Sequence, residues 1–304
     1  MYILLMKRAV VIFTALLSLL SSFGYSGAAD SCSDYDFPSI SATFQKPGTL
    51  RVMSFNIRNA DVNGVPVSDR IDVVERQILE IMPDSFGVQE ATAEWMAALD
   101  ADLEMYDWVG ADMDSGGNPL DSGVASPVFY LRDRFGLVDS GNFWLSDTPD
   151  VPSKYPGASR KRICTWALLK DKSTGETFVH INSHFDHVSE EARLQGGIIV
   201  NSFIEERFAD TPVVFTVDLN TTEKEEAYAA ASRNLTDTRN AAADSVFYGT
   251  YHAGENPAKR KDRIIDFIFC SERFSVSVYR TVTKGVGGRF SSDHFPVYAD
   301  LKFI

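Results

Sequence analysis

The chain has 304 residues, with 29 lysines and arginines against 42 aspartates and glutamates, so its formal net charge is −13. Hydrophobic residues make up 44 % and charged residues 23 %, which are values typical of a folded protein and exclude wholesale disorder. The acidic balance argues against a protein that holds nucleic acid by bulk electrostatics. Only three cysteines are present, which excludes a disulfide-dense scaffold.

The N-terminal segment is typical of a secretory signal. Lys7 and Arg8 precede a short apolar run at residues 9–20, and small residues follow it. That run is shorter than the roughly 20 residues that a membrane span needs, so we expect cleavage rather than an anchor. The protein is therefore predicted to be secreted or periplasmic, without stable membrane insertion. The predicted boundaries are a signal peptide at 1–28, a lead-in at 29–49 and one domain at 50–304.

The spacing of apolar residues predicts the elements of the domain in chain order. Short apolar or alternating runs bounded by turn residues are typical of strands, and apolar residues every three or four positions are typical of helices. Strands are predicted over 50–57, 85–89, 124–131, 162–169, 177–183, 212–217, 264–270, 276–282 and 297–303. Helices are predicted over 70–81, 92–103 and 190–208. Many strands with few helices favour an α/β fold of two packed sheets flanked by helices.

Polar side chains stand where these apolar strands end. Side chains at positions i and i+2 of a strand share a face, so neighbouring polar residues can form pairs. A single Asn or Asp at a strand end usually satisfies the backbone of a turn, but several such ends together indicate a site built on rigid elements. The residues are Ser54 with Asn56, Asn182 with His184, Asp218 with Asn220, and the single positions Glu90, Asp266, Asp293 and His294.

The residue types at these ends favour a hard divalent cation and phosphate chemistry. Carboxylate and amide oxygens suit Mg²⁺ or Mn²⁺, and His184 and His294 can supply acid–base or charge-stabilising groups. Such a set can align a water molecule, polarise a phosphoryl oxygen and stabilise the leaving oxygen. The alternative is a zinc site formed by His180, His184 and His187, although His187 falls in the loop after the strand.

Six segments in chain order resemble the endonuclease/exonuclease/phosphatase superfamily, over about residues 50–304. This superfamily includes deoxyribonucleases, deadenylases, neutral sphingomyelinases and inositol polyphosphate phosphatases. The resemblance implies a four-layered α/β sandwich of two packed mixed sheets flanked by helices, with the site at one end of the sheets. The six segments are 54–57, 89–90, 182–187, 218–220, 263–269 and 292–297. Further segments, at 143–149, 162–166 and 249–252, resemble a bacterial branch near the deadenylases.

The resemblance also implies a metal centre. Glu90 would bind Mg²⁺ with Asn56 beside it, and Asp293 would complete the metal or water network. Mn²⁺ is an alternative to Mg²⁺, because both prefer oxygen ligands.

The catalytic roles implied by the resemblance fall on six residues, of which Asp293 also belongs to the metal centre. Asp218 would orient or deprotonate the attacking water, and Asn220 would hold the phosphate. His184 and His294 would contact the scissile phosphate, and Asp266 would orient a histidine.

The sequence departs from the family pattern at Val217, where the family usually has glycine ahead of the Asp218 and Asn220 pair. The larger side chain predicts a tighter approach to the substrate or a shifted loop. It bears on rate and substrate size more than on reaction class.

Further residues are predicted to contact the substrate. Arg162, in the basic cluster at 160–162, suits a phosphate clamp because the guanidinium fork matches phosphate geometry. Trp166 could stack a base or a sugar, as aromatic side chains do in nucleic-acid sites. Asn182 and His252 are predicted as additional contacts. A second basic run, at 259–263, could help to dock a polyanion.

The first function predicted is a secreted Mg²⁺-dependent phosphodiesterase of the nuclease type. The alternatives are a phosphomonoesterase or headgroup phosphoesterase on the same fold, and an inactive binding module. The expected partner is a phosphate ester (a nucleic acid, a nucleotide or a phosphorylated small molecule), bound by a monomer. Cys164 and Cys270 are predicted to be buried, and a bridge between them or with Cys32 stays open.

Overall fold

The structure, a computed structural model, describes residues 48–253, 263–287 and 289–304. The predicted signal peptide, Cys32 and nearly all of the lead-in lie outside the described residues, as does most of the basic run at 259–263. Within the described ranges, no helix is both long enough and apolar enough to cross a membrane.

The domain has many strands and few helices. The strands are β1 (Thr49–Asn56), β2 (Ser85–Gln89), β3 (Ala91–Thr92), β4 (Tyr106–Val109), β5 (Val124–Ala125), β6 (Val128–Leu131), β7 (Phe135–Trp144), β8 (Ile163–Asp171), β9 (Thr177–His184), β10 (Val213–Asp218), β11 (Thr236–Asp237), β12 (Asp244–Val246), β13 (Asp266–Cys270), β14 (Phe274–Thr281) and β15 (Val297–Phe303). The helices are α1 (Ile71–Ile81), α2 (Ala93–Asp102), α3 (Glu190–Arg207), α4 (Glu226–Ala231) and α5 (Thr238–Ala241), with a 3₁₀ turn at Val67–Asp69.

Local sequence explains where the main helices begin and end. The helix α1 ends at Met82, which takes a left-handed backbone conformation (φ 49°) directly before Pro83. The helix α3 begins after Ser189, whose side chain accepts a hydrogen bond from the backbone N–H of Ala192. Both helices fall where the sequence predicts them.

Two mixed sheets form the body of the fold. The first has seven strands in the order β12-β14-β15-β1-β2-β6-β4, and the second has six in the order β11-β13-β10-β9-β8-β7. A two-stranded ladder pairs β3 with β5. The predicted α/β class with two packed mixed sheets is therefore confirmed.

Three apolar layers hold four layers of structure together. The helices α1 and α2 cover the outer face of the first sheet, where Trp95 and Phe55 share one buried cluster. The helix α3 covers the outer face of the second sheet, where Ile204 and Phe215 lie together. A third cluster, which includes Val214, fills the space between the two inner faces. Burial of this kind is the main stabilising contribution to the fold.

Each sheet has a parallel pair of strands at its centre. In the first sheet β1 runs parallel to β2, so that Asn56 lies opposite Gln89 and Glu90 follows directly. In the second sheet β9 runs parallel to β10, so that His184 lies opposite Asp218. Because the carboxyl ends of parallel strands lie at one edge of a sheet, the predicted polar strand ends are brought together.

A buried polar layer joins the inner faces of the sheets below this edge. The Asn182 Oδ1 atom accepts hydrogen bonds from Gln89 Nε2 (2.7 Å) and Thr216 Oγ1 (3.0 Å). The Asn182 Nδ2 atom donates to the carbonyls of Val88 (2.8 Å) and Pro127 (2.9 Å). Asn182 therefore ties the sheets together, which corrects its predicted role in substrate binding. Asn182 and His184 lie on the same face of β9, but only His184 stands at the end of the strand, where the site is predicted.

Gly87 allows the two sheets to approach at this layer. A Cβ atom on Gly87 would lie 2.2 Å from Thr216 Oγ1 and 2.3 Å from Asn182 Oδ1. Real Cβ atoms do not approach that closely, so any other residue here would push the polar layer apart.

We expect Gly87→Ala to lower the free energy of unfolding by about 2 kcal/mol, because the added methyl group breaks a buried hydrogen-bond network. Urea denaturation followed by circular dichroism measures this. Gly136→Ala is the matched control, because its Cβ would meet only Lys172 Cε, at 3.9 Å. Equal losses in the two variants would contradict the close approach at Gly87.

His180 lies in the same buried layer. Its ring nitrogens bond the hydroxyls of Ser85 (2.6 Å) and Thr216 (2.9 Å). Burial lowers the pKa of His180 to about 3, so its ring is neutral in the folded protein. Both ring nitrogens are engaged inside the core, so the alternative of a zinc site formed by three histidines is excluded.

We expect this neutral histidine to make folding sensitive to acid. The unfolded chain binds a proton near the ordinary histidine pKa of about 6.5, so the stability gained above that pH is lost as the pH falls toward the folded-state value. Wild-type protein should lose about 2 kcal/mol more unfolding free energy than His180→Gln between pH 7.5 and pH 5. Urea titrations at the two pH values test this, and parallel losses would assign the acid sensitivity to other groups.

The two internal cysteines are buried, as predicted. Both Cys164 and Cys270 are free thiols, so the bridge between them that the sequence left open is not formed.

Candidate active site

One cavity of about 570 Å³ opens at the carboxyl ends of the central strands. Seven of the predicted residues line this cavity, and two more, Asn56 and Asp266, are buried directly beneath it. The structure therefore brings nine of the predicted residues together. The seven that line the cavity are Glu90, Arg162, His184, Asp218, Asn220, Asp293 and His294.

Asn56 bridges the two sheets at the base of the cavity. Its Nδ2 atom donates to Asp218 Oδ2 (2.8 Å) in the second sheet and to Glu90 Oε1 (3.2 Å) in the first. Its Oδ1 atom accepts from the backbone N–H of Arg58 (3.0 Å). In this structure Asn56 thus positions two carboxylates, while its predicted place as a metal ligand stays a prediction.

A histidine is held between two buried aspartates. The Nδ1 atom of His294 lies 2.9 Å from Asp266 Oδ2, and its Nε2 atom lies 3.9 Å from Asp218 Oδ2. Burial alone would lower the pKa of His294, but the carboxylates of Asp266 and Asp218 outweigh it and raise the pKa to about 10. The ring is therefore an imidazolium at neutral pH. Its Nε2–H lies at the cavity, 3.9 Å from Asp218 Oδ2.

The environment of Asp218 makes it a base that works near neutral pH. Its side chain is fully buried, and burial together with the nearby charge of Asp266 raises its pKa to about 7. Its Oδ1 atom accepts from the backbone N–H of Asn220 (2.8 Å), which fixes the plane of the carboxylate.

Asn220 orients the second histidine. Its Nδ2 atom donates to the carbonyl of Phe185 (3.0 Å), which fixes the direction of the amide, and to His184 Nε2 (2.7 Å). His184 therefore carries its proton on Nδ1. Burial, followed by the charge of Arg162, holds the pKa of His184 well below its usual range, so this ring is neutral. The predicted contact of Asn220 with phosphate stays a prediction.

Three residues of the cavity adopt a left-handed backbone. The φ angles are 61° at Arg58, 65° at Glu90 and 52° at Asn220. Side chains other than glycine rarely adopt this region, at a cost of about 1–3 kcal/mol each, and such strain is concentrated at functional sites.

Two groups of side chains at this edge could hold a divalent cation. Glu90 and Asp293 flank the guanidinium of Arg58, at 3.8 Å and 3.7 Å, so both carboxylates already face one cationic position. Asp218, Asp266 and His294 also bring ligand atoms within 4.8 Å of one another. Mg²⁺ prefers oxygen ligands to an imidazole nitrogen, so the pair Glu90 and Asp293 fits the predicted Mg²⁺ better.

A basic wall faces these acids. Arg162 is buried, and its Nη2 atom donates to His187 Nδ1 (3.0 Å). Its Nε atom has no hydrogen-bond partner, and Asp186 lies 3.8 Å away. The carboxylate of Asp186 already accepts bonds from Ser159 and Ser189. Asp186 therefore balances the charge of Arg162 only through this longer contact, and the predicted role of Arg162 in binding an anion in the cavity stays a prediction.

Trp166 does not reach the cavity, which corrects its predicted role. It packs against Phe203 and Phe208 under α3, with the guanidinium of Arg207 4.5 Å from its ring centroid. Successive strand residues face opposite sides of the sheet, and this position faces the helix.

His252 is also withdrawn from the cavity. Its ring stacks on Phe295 at a centroid distance of 4.3 Å, and its backbone N–H donates to the carbonyl of Asp293 (3.0 Å). It therefore supports the turn that carries Asp293 and His294, and the prediction that it binds substrate is corrected.

Val217 leaves the catalytic residues in place. Its side chain is fully buried in the cluster beneath α3, on the face of β10 that points away from the cavity. The tighter approach to substrate predicted from this residue is not seen.

Arg58 and Tyr251 line the cavity without having been assigned a role from the sequence, and Arg263 was named only as part of the basic run at 259–263. Arg58 follows Asn56 by two positions, and its charge in an acidic chain was the available signal. Tyr251 lies edge-to-face with His294 at 5.0 Å, and the guanidinium of Arg263 stands 4.5 Å from the Tyr251 ring centroid. Both belong to segments that carried the family resemblance, but contacts between distant segments were needed to place them.

Comparison with known proteins agrees with this site. Solved structures from Bacteroides thetaiotaomicron include an endonuclease/exonuclease/phosphatase family protein (31 % identity, TM-score 0.78, 86 % of this chain and 100 % of that one). They also include a mannosyl-6-phosphatase (33 % identity, TM-score 0.77, 84 % of this chain and 100 % of that one).

A curated relative is an uncharacterized protein of Acanthamoeba polyphaga mimivirus, 23 % identical over 54 % of this chain. The match spans only 28 % of that protein's length. The sequence model of the Endonuclease/Exonuclease/phosphatase family matches residues 53–294. This chain therefore belongs to that family, whose members are hydrolases that act on phosphoester bonds.

Proposed function

We propose that this chain is a metal-dependent phosphomonoesterase that releases phosphate from a phosphorylated sugar or a similar small molecule. The carrying observation is the convergence, in one cavity, of the Asp266–His294–Asp218 group, the Glu90 and Asp293 carboxylates and a wall of arginines. The likeness to a mannosyl-6-phosphatase, which covers 84 % of this chain, supports the choice of a sugar phosphate.

The shape and charge of the cavity support a small substrate. A volume of about 570 Å³ is in the range that encloses a small molecule. Its four arginines, Arg58, Arg160, Arg162 and Arg263, match the double negative charge of a phosphate monoester. A long polynucleotide would need an extended basic surface, whereas the chain as a whole carries a net charge of −13.

The chain's own residues supply the hydrolytic chemistry. Asp218, with a pKa of about 7, orients a water molecule and takes its proton as the water oxygen attacks phosphorus. The bond from phosphorus to the ester oxygen breaks in the same displacement, and that oxygen leaves as a hydroxyl group after it takes up a proton from solvent. The charged His294, held by Asp266, stabilises the negative charge that grows on the phosphoryl oxygens. Arg162, whose Nε atom has no hydrogen-bond partner among the described residues, holds the phosphate through its guanidinium.

A divalent cation would be held by Glu90 and Asp293, with Asn56 beside them. Bound there, Mg²⁺ or Mn²⁺ would supply Lewis-acid polarisation of the phosphoryl oxygen. Oxygen ligands favour these cations over softer metals.

The other predicted functions stay predictions. A phosphodiesterase of the nuclease type uses the same chemical groups, and so does a headgroup phosphoesterase. An inactive binding module is disfavoured, because every acid, amide and histidine assigned a catalytic role lies at this cavity or directly beneath it.

We propose further that the enzyme works outside the cytoplasm as a monomer. The support for export is the basic start and short apolar run of residues 7–20, which is typical of a cleaved signal.

Phosphate release from mannose 6-phosphate, beside hydrolysis of bis(p-nitrophenyl) phosphate, tests the proposed function. With Mg²⁺ or Mn²⁺ we expect the monoester to react faster, and EDTA to abolish turnover. Asp218→Ala should lower kcat by about 10³-fold, because the base that activates water is lost.

The Asp218→Ala protein needs a wild-type circular dichroism spectrum and melting curve for this comparison. Faster hydrolysis of the diester would replace the proposal with the nuclease-type function. No turnover of either compound by folded, metal-supplied protein would contradict it and favour a binding module.

A further inference from the structure

We propose that Arg58 is an exchangeable counterion of the metal site. It balances Glu90 and Asp293 while no divalent cation is bound, and it turns to the substrate phosphate when the cation takes its place. This inference rests on the proposed function, because it needs both a cation and a phosphate ester at the cavity.

The backbone of Arg58 is fixed at the mouth of the cavity. Its N–H donates to Asn56 Oδ1 (3.0 Å), and its carbonyl accepts from Arg70 Nη2 (2.9 Å) and Trp95 Nε1 (3.0 Å). Its φ angle of 61° is held by these three bonds. The side chain therefore always starts from the same point, beside both carboxylates.

The guanidinium of Arg58, in contrast, is loosely held. Its contacts to Glu90 (3.8 Å) and Asp293 (3.7 Å) are longer than hydrogen bonds, and its side chain is 39 % exposed. Arg70 provides the comparison, because it is buried and donates to four carbonyls, those of Ile57, Arg58, Ala60 and Ser291. Arg70 is built into the fold, whereas Arg58 is attracted only by charge.

A divalent cation and a guanidinium cannot share the space between two carboxylates. The cation brings twice the charge in a smaller volume, so it displaces the guanidinium and repels it at short range. The side chain lines the cavity, so a phosphate bound there is an anion that the displaced guanidinium can pair with.

This exchange couples the two ligands. Metal binding frees Arg58 for the phosphate, and a phosphate that holds Arg58 away from Glu90 and Asp293 favours the metal. Thermodynamic linkage requires each ligand to raise the affinity for the other by the same factor.

Calorimetric titration of metal-free protein with Mn²⁺, with and without inorganic phosphate, tests the exchange. Arg58→Gln removes the charge and should bind Mn²⁺ about tenfold more tightly in the absence of phosphate. The Mn²⁺-loaded variant should bind inorganic phosphate about tenfold more weakly. Arg58→Lys keeps the charge and should stay within about threefold of wild type for Mn²⁺.

Arg160→Gln is the matched control, because Arg160 lines the same cavity and forms no ion pair with Glu90 or Asp293 in the described part of the chain. It should leave the Mn²⁺ affinity unchanged. Unchanged or weaker Mn²⁺ binding by folded Arg58→Gln would overturn the exchange while leaving the proposed function intact. A wild-type protein that binds no Mn²⁺ would contradict both the exchange and the proposed function. If Arg160→Gln raised the Mn²⁺ affinity as much as Arg58→Gln, the increase would come from the total charge of the cavity, and the exchange would be overturned.

Discussion

The hydrogen bonds of the Asn56 amide join the two sheets at the point where the chemistry is placed. One amide nitrogen reaches Glu90 at the end of one sheet and Asp218 at the end of the other. Neither sheet holds a complete site, because Asp218, His184 and Asp266 belong to the second sheet, whereas Glu90, Asp293 and His294 follow or precede strands of the first. The distance between the inner faces must therefore be set closely, and the buried layer of Asn182 over Gly87 sets it. Such a layer specifies a single arrangement of the sheets, because any other arrangement would leave buried polar groups without hydrogen bonds and would lower the stability of the fold.

Charge balance is the second constraint on the site. The strand ends crowd four carboxylates into one buried edge, which would repel one another without cations. His294 supplies a positive charge between Asp266 and Asp218, because its ring stays protonated. Arg58 supplies a positive charge between Glu90 and Asp293. The opposite wall carries an excess of positive charge, since Arg160 and Arg162 both line the cavity and the carboxylate paired with Arg162 there is Asp186, 3.8 Å away. A phosphate ester fits between these two walls. Its negative charge complements the arginines of the opposite wall, while its reacting oxygens lie at the edge that carries the carboxylates and His294.

Much of the fold and of the candidate site follows from local sequence signals, and the exceptions have physical causes. Asp218 and His184 were predictable because each ends an apolar strand, and the two strands are neighbours. Asn182 lies in the same strand as His184 and Trp166 in the neighbouring strand β8, but whether each side chain reaches the cavity depends on strand parity and on depth below the edge. The strand β7 was not predicted because the polar stretch at residues 139–142 interrupts its apolar pattern. The predicted strand over 124–131 is two strands because Pro127 cannot donate to a ladder. Arg58 depends on contacts over long sequence distances, which no local pattern contains.

A double-mutant cycle in kcat for mannose 6-phosphate, with Asn56→Ala, Asp218→Ala and the combined variant at saturating Mg²⁺, tests most directly whether the two sheets form one catalytic unit. If Asn56 acts by holding Asp218 in register with Glu90, its removal should cost little once Asp218 is gone, so the double variant should be about as slow as Asp218→Ala alone. Losses that multiply in the double variant, in proteins that keep the wild-type fold, would show that Asn56 and Asp218 act independently and would contradict the joined site.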